Sequence, residues 1–144
     1  MRPLAFDYVA PESLEDALRA LAEGGEDAAV ISGGQSLLPV LRMRLGAPSV
    51  LVDLRRIDAL REVRLDGDTL VIGARATYRQ VAGDALVSEH AALLGQAGGS
   101  IGDPQIRARG TVGGSLAHAD PAGDLAPAVL ALDGSVELTG PGGA

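Results

Sequence analysis

The chain has 144 residues, 47% of them apolar, and a formal net charge of −7. That suffices for one domain, or part of a larger one, with its own core, and an acidic balance without a basic block argues against a nucleic-acid backbone as partner. All twelve basic residues are arginine and cysteine is absent, which excludes a Walker-type loop, a lysine Schiff base, a disulfide, a thiolate zinc site and an iron–sulfur cluster held by this chain.

Phe6, Tyr8 and Tyr78 are the only aromatics. The core must therefore be Leu, Val, Ile and Ala, and stacking platforms for single-stranded nucleic acid are lacking. The opening MRPLAFDYVAPES carries no cationic segment followed by an apolar one, and no apolar run reaches the length of a bilayer span. The expectation is a soluble, cytoplasmic chain with no membrane span.

Ser13 opens the clearest helix. Leu14, Ala17, Leu18 and Leu21 recur at helical spacing, Asp16 stands three residues after Ser13, and Gly24-Gly25 ends the pattern. AAVI (Ala28–Ile31) reads as a short buried strand running into SGGQSLLP, and Leu37–Leu45 as partly helical. SVLVD (Ser49–Asp53) is a second buried strand, and REVRLDGDTLVIGA (Arg61–Ala74) a hairpin turning at Asp66-Gly67-Asp68. Thr77–Asp84 and Ser88–Ala97 read as short helices, Ile101–Gly123 as a long irregular stretch, Leu125–Leu132 as a helix and SVELTG (Ser135–Gly140) as a final strand. Strands and helices alternate irregularly, which indicates α+β rather than a doubly wound sheet. A structureless loop of about twenty residues is more often functional than not.

Two glycine segments carry the candidate chemistry. A glycine pair after a strand permits positive φ and lets a ligand approach the peptide N–H groups, so SGGQS is either a plain turn or an anion nest. GTVGGS (Gly110–Ser115) again offers small residues, hydroxyls and exposed N–H groups, and two such loops could grip a pyrophosphate from both sides. Neither has the G-x-G-x-x-G register of a Rossmann site. In HADPAGD (His118–Asp124), His118 and Asp120 are too few for a metal site and read as solvated loop groups. GGSLA lacks the pattern of a serine hydrolase elbow. Asp124 is open between two roles, a hydrogen-bond acceptor for a nucleotide and the N-cap of the helix that follows.

Taken together, SGGQSLLPVLRMRL, VLVDLRRI, LVIGARATYRQV and IGDPQIRARGTVGGSLAHADPAGDLAPAVLAL resemble the FAD-binding medium subunit of molybdenum hydroxylases, the xanthine dehydrogenase and carbon monoxide dehydrogenase group. The resemblance covers essentially the whole chain, though members of that group run to about twice a domain of this size. It implies the two-part α+β FAD-binding module of the vanillyl-alcohol oxidase and p-cresol methylhydroxylase type, incomplete at its C-terminal end. Residues 1–56 would form the N-terminal FAD-binding subdomain and 57–144 the start of the second. It further implies that Ser32, Gly33, Gly34, Gln35, Ser36 and Leu37 bind FAD noncovalently. Thr111, Val112, Gly113, Gly114 and Ser115 form the second binding set, and Asp124 contacts the sugar or adenine side.

No residue of the chain is then catalytic and none ligates a metal. The molybdenum cofactor and the [2Fe–2S] clusters belong to a large molybdopterin-binding partner and a small partner subunit. Electrons would pass from those clusters through FAD to an external acceptor such as NAD, a quinone or oxygen. The alternatives are a non-catalytic assembly module that keeps the fold but binds no flavin, and a nucleotide-binding regulator.

Overall fold

The computed structural model describes residues 2–140 and 142–143. The chain divides into two compact units, Met1–Ile57 with Glu137–Ala144, and Asp58–Val136.

The first unit is built on a three-stranded sheet: β1 (Asp7–Val9), β2 (Ala28–Ile31) and β3 (Val50–Asp53), in the order β1-β3-β2 and all parallel. Helix α1 (Leu14–Gly24) joins β1 to β2, and α2 (Leu37–Arg42) lies between β2 and β3. The start of α1 is fixed as its sequence suggests, with the Asp16 N–H donating to Ser13 Oγ at 3.0 Å and the Ser13 hydroxyl donating to the Asp16 carboxylate at 2.8 Å. Gly25, at φ 61°, ends the helix in a conformation that favours glycine. Ile31, Leu41 and Leu51 form the core of this unit, with Phe6, Ala29 and Leu37 packed against them.

Two expectations need correction here. AAVI is not uniformly buried. Only Ile31 is, and Val30 is 44% exposed, because β2 lies at the edge of a three-stranded sheet while β3, at its centre, buries Leu51, Val52 and Asp53. SVELTG forms no strand. Residues 135–139 have no regular structure, Gly140 makes only an isolated bridge to Gly143, and Leu138 is 79% exposed. A β-rich composition makes a strand only where a neighbouring strand accepts its hydrogen bonds, and among the described residues none does.

The second unit begins with the hairpin of β4 (Val63–Asp66) and β5 (Thr69–Ile72), antiparallel with Asp66 opposite Thr69. The two-residue connection is Gly67-Asp68, with Gly67 at φ 57°. Six short helices follow: α3 (Tyr78–Gly83), α4 (Ala85–His90), α5 (Ala92–Ser100), α6 (Pro104–Arg109), α7 (Val112–His118) and α8 (Leu125–Ala131). Ala76, Tyr78, Val81, Val87, Leu94 and Leu125 are buried at their common core.

The segment expected as one helix over Ser88–Ala97 is broken at Ala91, whose φ of −146° and ψ of 48° separate α4 from α5. Nor is Ile101–Gly123 irregular, since it contains α6 and α7. Asp103 Oδ1 accepts from the N–H groups of Gln105 and Ile106 at 2.8 and 2.9 Å, and Pro104 occupies the first turn. Side-chain caps of this kind start helices too short and too glycine-rich to announce themselves by periodicity. No helix among the described residues is long and apolar enough to cross a membrane.

Candidate functional site

The first glycine segment leaves β2 at Ile31. Gly34 takes φ 76°, a backbone conformation that L side chains rarely adopt, and a Cβ there would lie 3.0 Å from Leu38 Cδ1. Its carbonyl accepts from Leu38 N–H at 3.1 Å. Gln35 and Ser36 are exposed and Gly33 is buried. Ser36 sits at the N-cap position of α2 in a helical conformation and makes no capping bond with its side chain. Among the described residues, the N–H groups of Gln35, Ser36 and Leu37 donate to no protein acceptor. Leu37 turns its side chain to the core, so what it offers the loop is its peptide N–H. The segment is open on its backbone.

The second segment is closed. Val112 N–H donates to Ala76 O at 2.9 Å, Gly113 N–H to Ala74 O at 2.8 Å, and Ser115 N–H to Thr111 O at 3.0 Å. Gly114 N–H donates to Thr111 Oγ1 at 3.3 Å. The N–H groups of Val112 to Ser115, expected to be exposed, are therefore engaged, and Thr111 itself is 5% exposed. Its hydroxyl caps α7, whose first turn is the VGGS portion of GTVGGS. The glycines answer to packing. A Cβ on Gly110 would lie 2.3 Å from Tyr78 Cε2, and one on Gly113 would lie 2.6 Å from Ala74 Cβ. Gly114 is exposed, though a Cβ there would lie 2.8 Å from Thr111 Oγ1.

Asp124 precedes α8, is exposed, and makes no capping bond with its side chain. Its expected alternative role as a side-chain N-cap is thus not realised. Asp120 accepts from Ala122 N–H at 2.9 Å in a local turn, and His118 lies exposed in the last turn of α7. Among the described residues no group of three metal-ligating side chains converges. Ser32 to Leu37 thus lie together in the first unit. Thr111 to Ser115 and Asp124 lie in the second, where α7 and α8 pack on each other. A cavity of about 510 Å³ in the second unit is lined by Asp58, Arg61, Glu62, Thr77, Arg79 and Gln80, none of them expected from sequence.

One cluster escaped the sequence altogether. Asp53, 1% exposed at the end of β3, accepts from the Tyr8 hydroxyl at 2.8 Å, from Arg55 N–H at 2.8 Å and from Arg55 Nε at 2.6 Å. The Arg55 guanidinium lies 5.8 Å from the centre of the Tyr8 ring. Desolvation, followed by the hydrogen bond to Asp53, pushes the Tyr8 phenol up, and the same carboxylate holds Arg55 more firmly protonated. The only sequence signal was an acidic residue ending an apolar strand and followed by two arginines.

Residues 4–144 match the family described as the FAD binding domain in molybdopterin dehydrogenase. The chain is 47% identical, over 94% of its length and 46% of the relative's, to the alpha subunit of the 6-hydroxypseudooxynicotine dehydrogenase complex of Paenarthrobacter nicotinovorans. It is 41% identical, over all of its length and 50% of the relative's, to the carbon monoxide dehydrogenase medium chain of Afipia carboxidovorans. A solved structure of reconstituted CO dehydrogenase from Oligotropha carboxidovorans superposes with a TM-score of 0.96 at 40% identity, over 99% of this chain and 50% of that one. The chain spans about half the length of the curated relatives it matches.

Proposed function

This chain belongs to the family of FAD binding domains in molybdopterin dehydrogenases, and from that premise we propose that it is the FAD-holding half of a flavoprotein subunit in a molybdenum hydroxylase. The carrying observation is the Ser32–Leu37 segment, with Gly34 at φ 76° and with the N–H groups of Gln35, Ser36 and Leu37 lacking protein acceptors among the described residues. Successive peptide donors without protein acceptors, beside Gly33 and Gly34, which carry no Cβ, suit a pyrophosphate. In this reading Ser32, Gly33, Gly34, Gln35, Ser36 and Leu37 hold it. Thr111, Val112, Gly113, Gly114 and Ser115 form the second FAD-binding set, of which Gly114 is the exposed member. Asp124, with a carboxylate not occupied in capping, accepts from the sugar or adenine.

Residues 1–56 are then the N-terminal FAD subdomain and residues 57–144 the start of the second. Bound FAD supplies the redox chemistry, and the chain's residues bind and orient it. Electrons come from [2Fe–2S] clusters of a small partner subunit, fed by a molybdopterin-binding large subunit, and leave to an external acceptor in the cytoplasm. No side chain of this chain acts as acid or base.

Calorimetric titration of the chain with FAD tests the assignment. One equivalent bound is expected, with the flavin released into solution by acid precipitation. A silent titration of folded protein overturns flavin binding and favours a non-catalytic assembly module. Yellow colour retained in the acid pellet overturns noncovalent attachment.

A further inference from the structure

The Tyr8–Asp53–Arg55 cluster occupies the edge of the sheet where the glycine segment begins. All three strands of the first unit run parallel, so the segments leaving β1, β2 and β3 emerge at one edge. In parallel sheets ligands are taken at that carboxyl edge. Ile31, the last residue of β2, pairs directly with Asp53, the last residue of β3. Neighbouring strands lie about 4.8 Å apart. The Ser32–Ser36 segment and the Leu54–Arg56 turn therefore leave the sheet side by side.

Arg55 is held as a receptor would be. Its Nε donates to a buried carboxylate and its guanidinium carbon lies over the Tyr8 ring, while its side chain remains 58% exposed. Among the described residues its two outer nitrogens have no partner. A guanidinium pinned in this way has already lost much of its rotamer freedom, so presenting its outer N–H groups to an anion costs little further ordering. The structural duty of Asp53 is separable. The Tyr8 hydroxyl and the Arg55 peptide N–H already tie β1 and the turn to the carboxylate. Two other arginines of the first unit are engaged: Arg19 is ion-paired to Asp16 and Arg56 to Glu12. In a chain of net charge −7, a local cation at this edge favours a dianionic group by adding full charge to the partial charges of the peptide N–H groups.

We propose that Arg55 is a phosphate-positioning residue, its outer N–H groups taking one phosphate of the dinucleotide whose pyrophosphate the Ser32–Ser36 segment holds. The inference rests on the flavin reading above. It is tested by titrating the wild-type chain, Arg55→Ala and Arg55→Lys with FAD, ADP and adenosine, with melting curves of each protein. Arg55→Ala is expected to weaken FAD and ADP about 10-fold and to leave adenosine within about twofold. Arg55→Lys, which keeps the charge without the planar fork, is expected to lose about threefold. A merely structural role would weaken all three ligands alike, and that result overturns the inference. Wild type that binds FAD and ADP while Arg55→Ala binds them equally well also overturns it, and leaves the flavin reading standing. Wild type that takes neither FAD nor ADP overturns both.

Discussion

SGGQS and GTVGGS are close in composition and opposite in construction. In the first, the chain turns through a positive-φ glycine, and three successive N–H groups find no protein acceptor among the described residues. In the second, four successive N–H groups are bonded inside the protein, and glycine is required because Ala74 and Tyr78 lie where a side chain would be. A glycine pair in a sequence thus announces close approach but not what approaches. In one segment the space faces outward, and in the other it is filled by the protein itself.

The largest effect that sharpens this contrast is expected from Gly113→Ala. Its new methyl would meet Ala74 Cβ at 2.6 Å and the Ala74 carbonyl oxygen at 2.8 Å, and overpacking against backbone costs about 3 kcal/mol. Urea unfolding should show that loss whether or not flavin is present, and an unaltered midpoint would break the packing account. Thr111→Ala comes next, at about 1 kcal/mol or somewhat more, because it removes the cap of α7. Its signature is a lowered melting temperature with fraying of α7 by NMR.

Gly34→Ala should cost about 1 kcal/mol, since the strain lies in the positive φ and the nearest contact is the flexible end of Leu38. A destabilisation larger than that of Gly113→Ala would invert the comparison. The smallest stability change is expected for Ser36→Ala, within about 0.5 kcal/mol, because Ser36 makes no capping bond. The same variant should still weaken FAD binding by calorimetry. A stability loss matching that of Thr111→Ala would show the two segments to be alike.

The parts of the fold legible in the sequence were those whose signals are local. Ser13 and Asp16 marked the start of α1 and Gly25 its end; Gly67-Asp68 marked the hairpin; and the run at Val50–Asp53 marked the central strand. The motif residues of the site could be named because they carry a family resemblance, but whether their N–H groups were open or engaged could not be read. That depends on Ala74 and Ala76, more than thirty residues away from the loop they close. Helices α6 and α7 were missed because their sequences, PQIRAR and VGGSLAH, are short and carry no sustained apolar repeat at helical spacing. The Ser135–Gly140 strand was expected wrongly because composition cannot supply a pairing partner. Tyr8 and Asp53 are 45 residues apart, and only the β1–β3 register brings them together.

The bond from Gly113 N–H to Ala74 O also has a kinetic meaning. An amide held between two segments of the second unit exchanges its proton with solvent only when that unit opens, so Val112 and Gly113 should be among its slowest protons in deuterium oxide. Gln35, Ser36 and Leu37, with no acceptor among the described residues, should exchange almost as fast as an unfolded peptide. Added ligand would slow the second group far more than the first, giving a residue-by-residue footprint of whatever settles on the open segment.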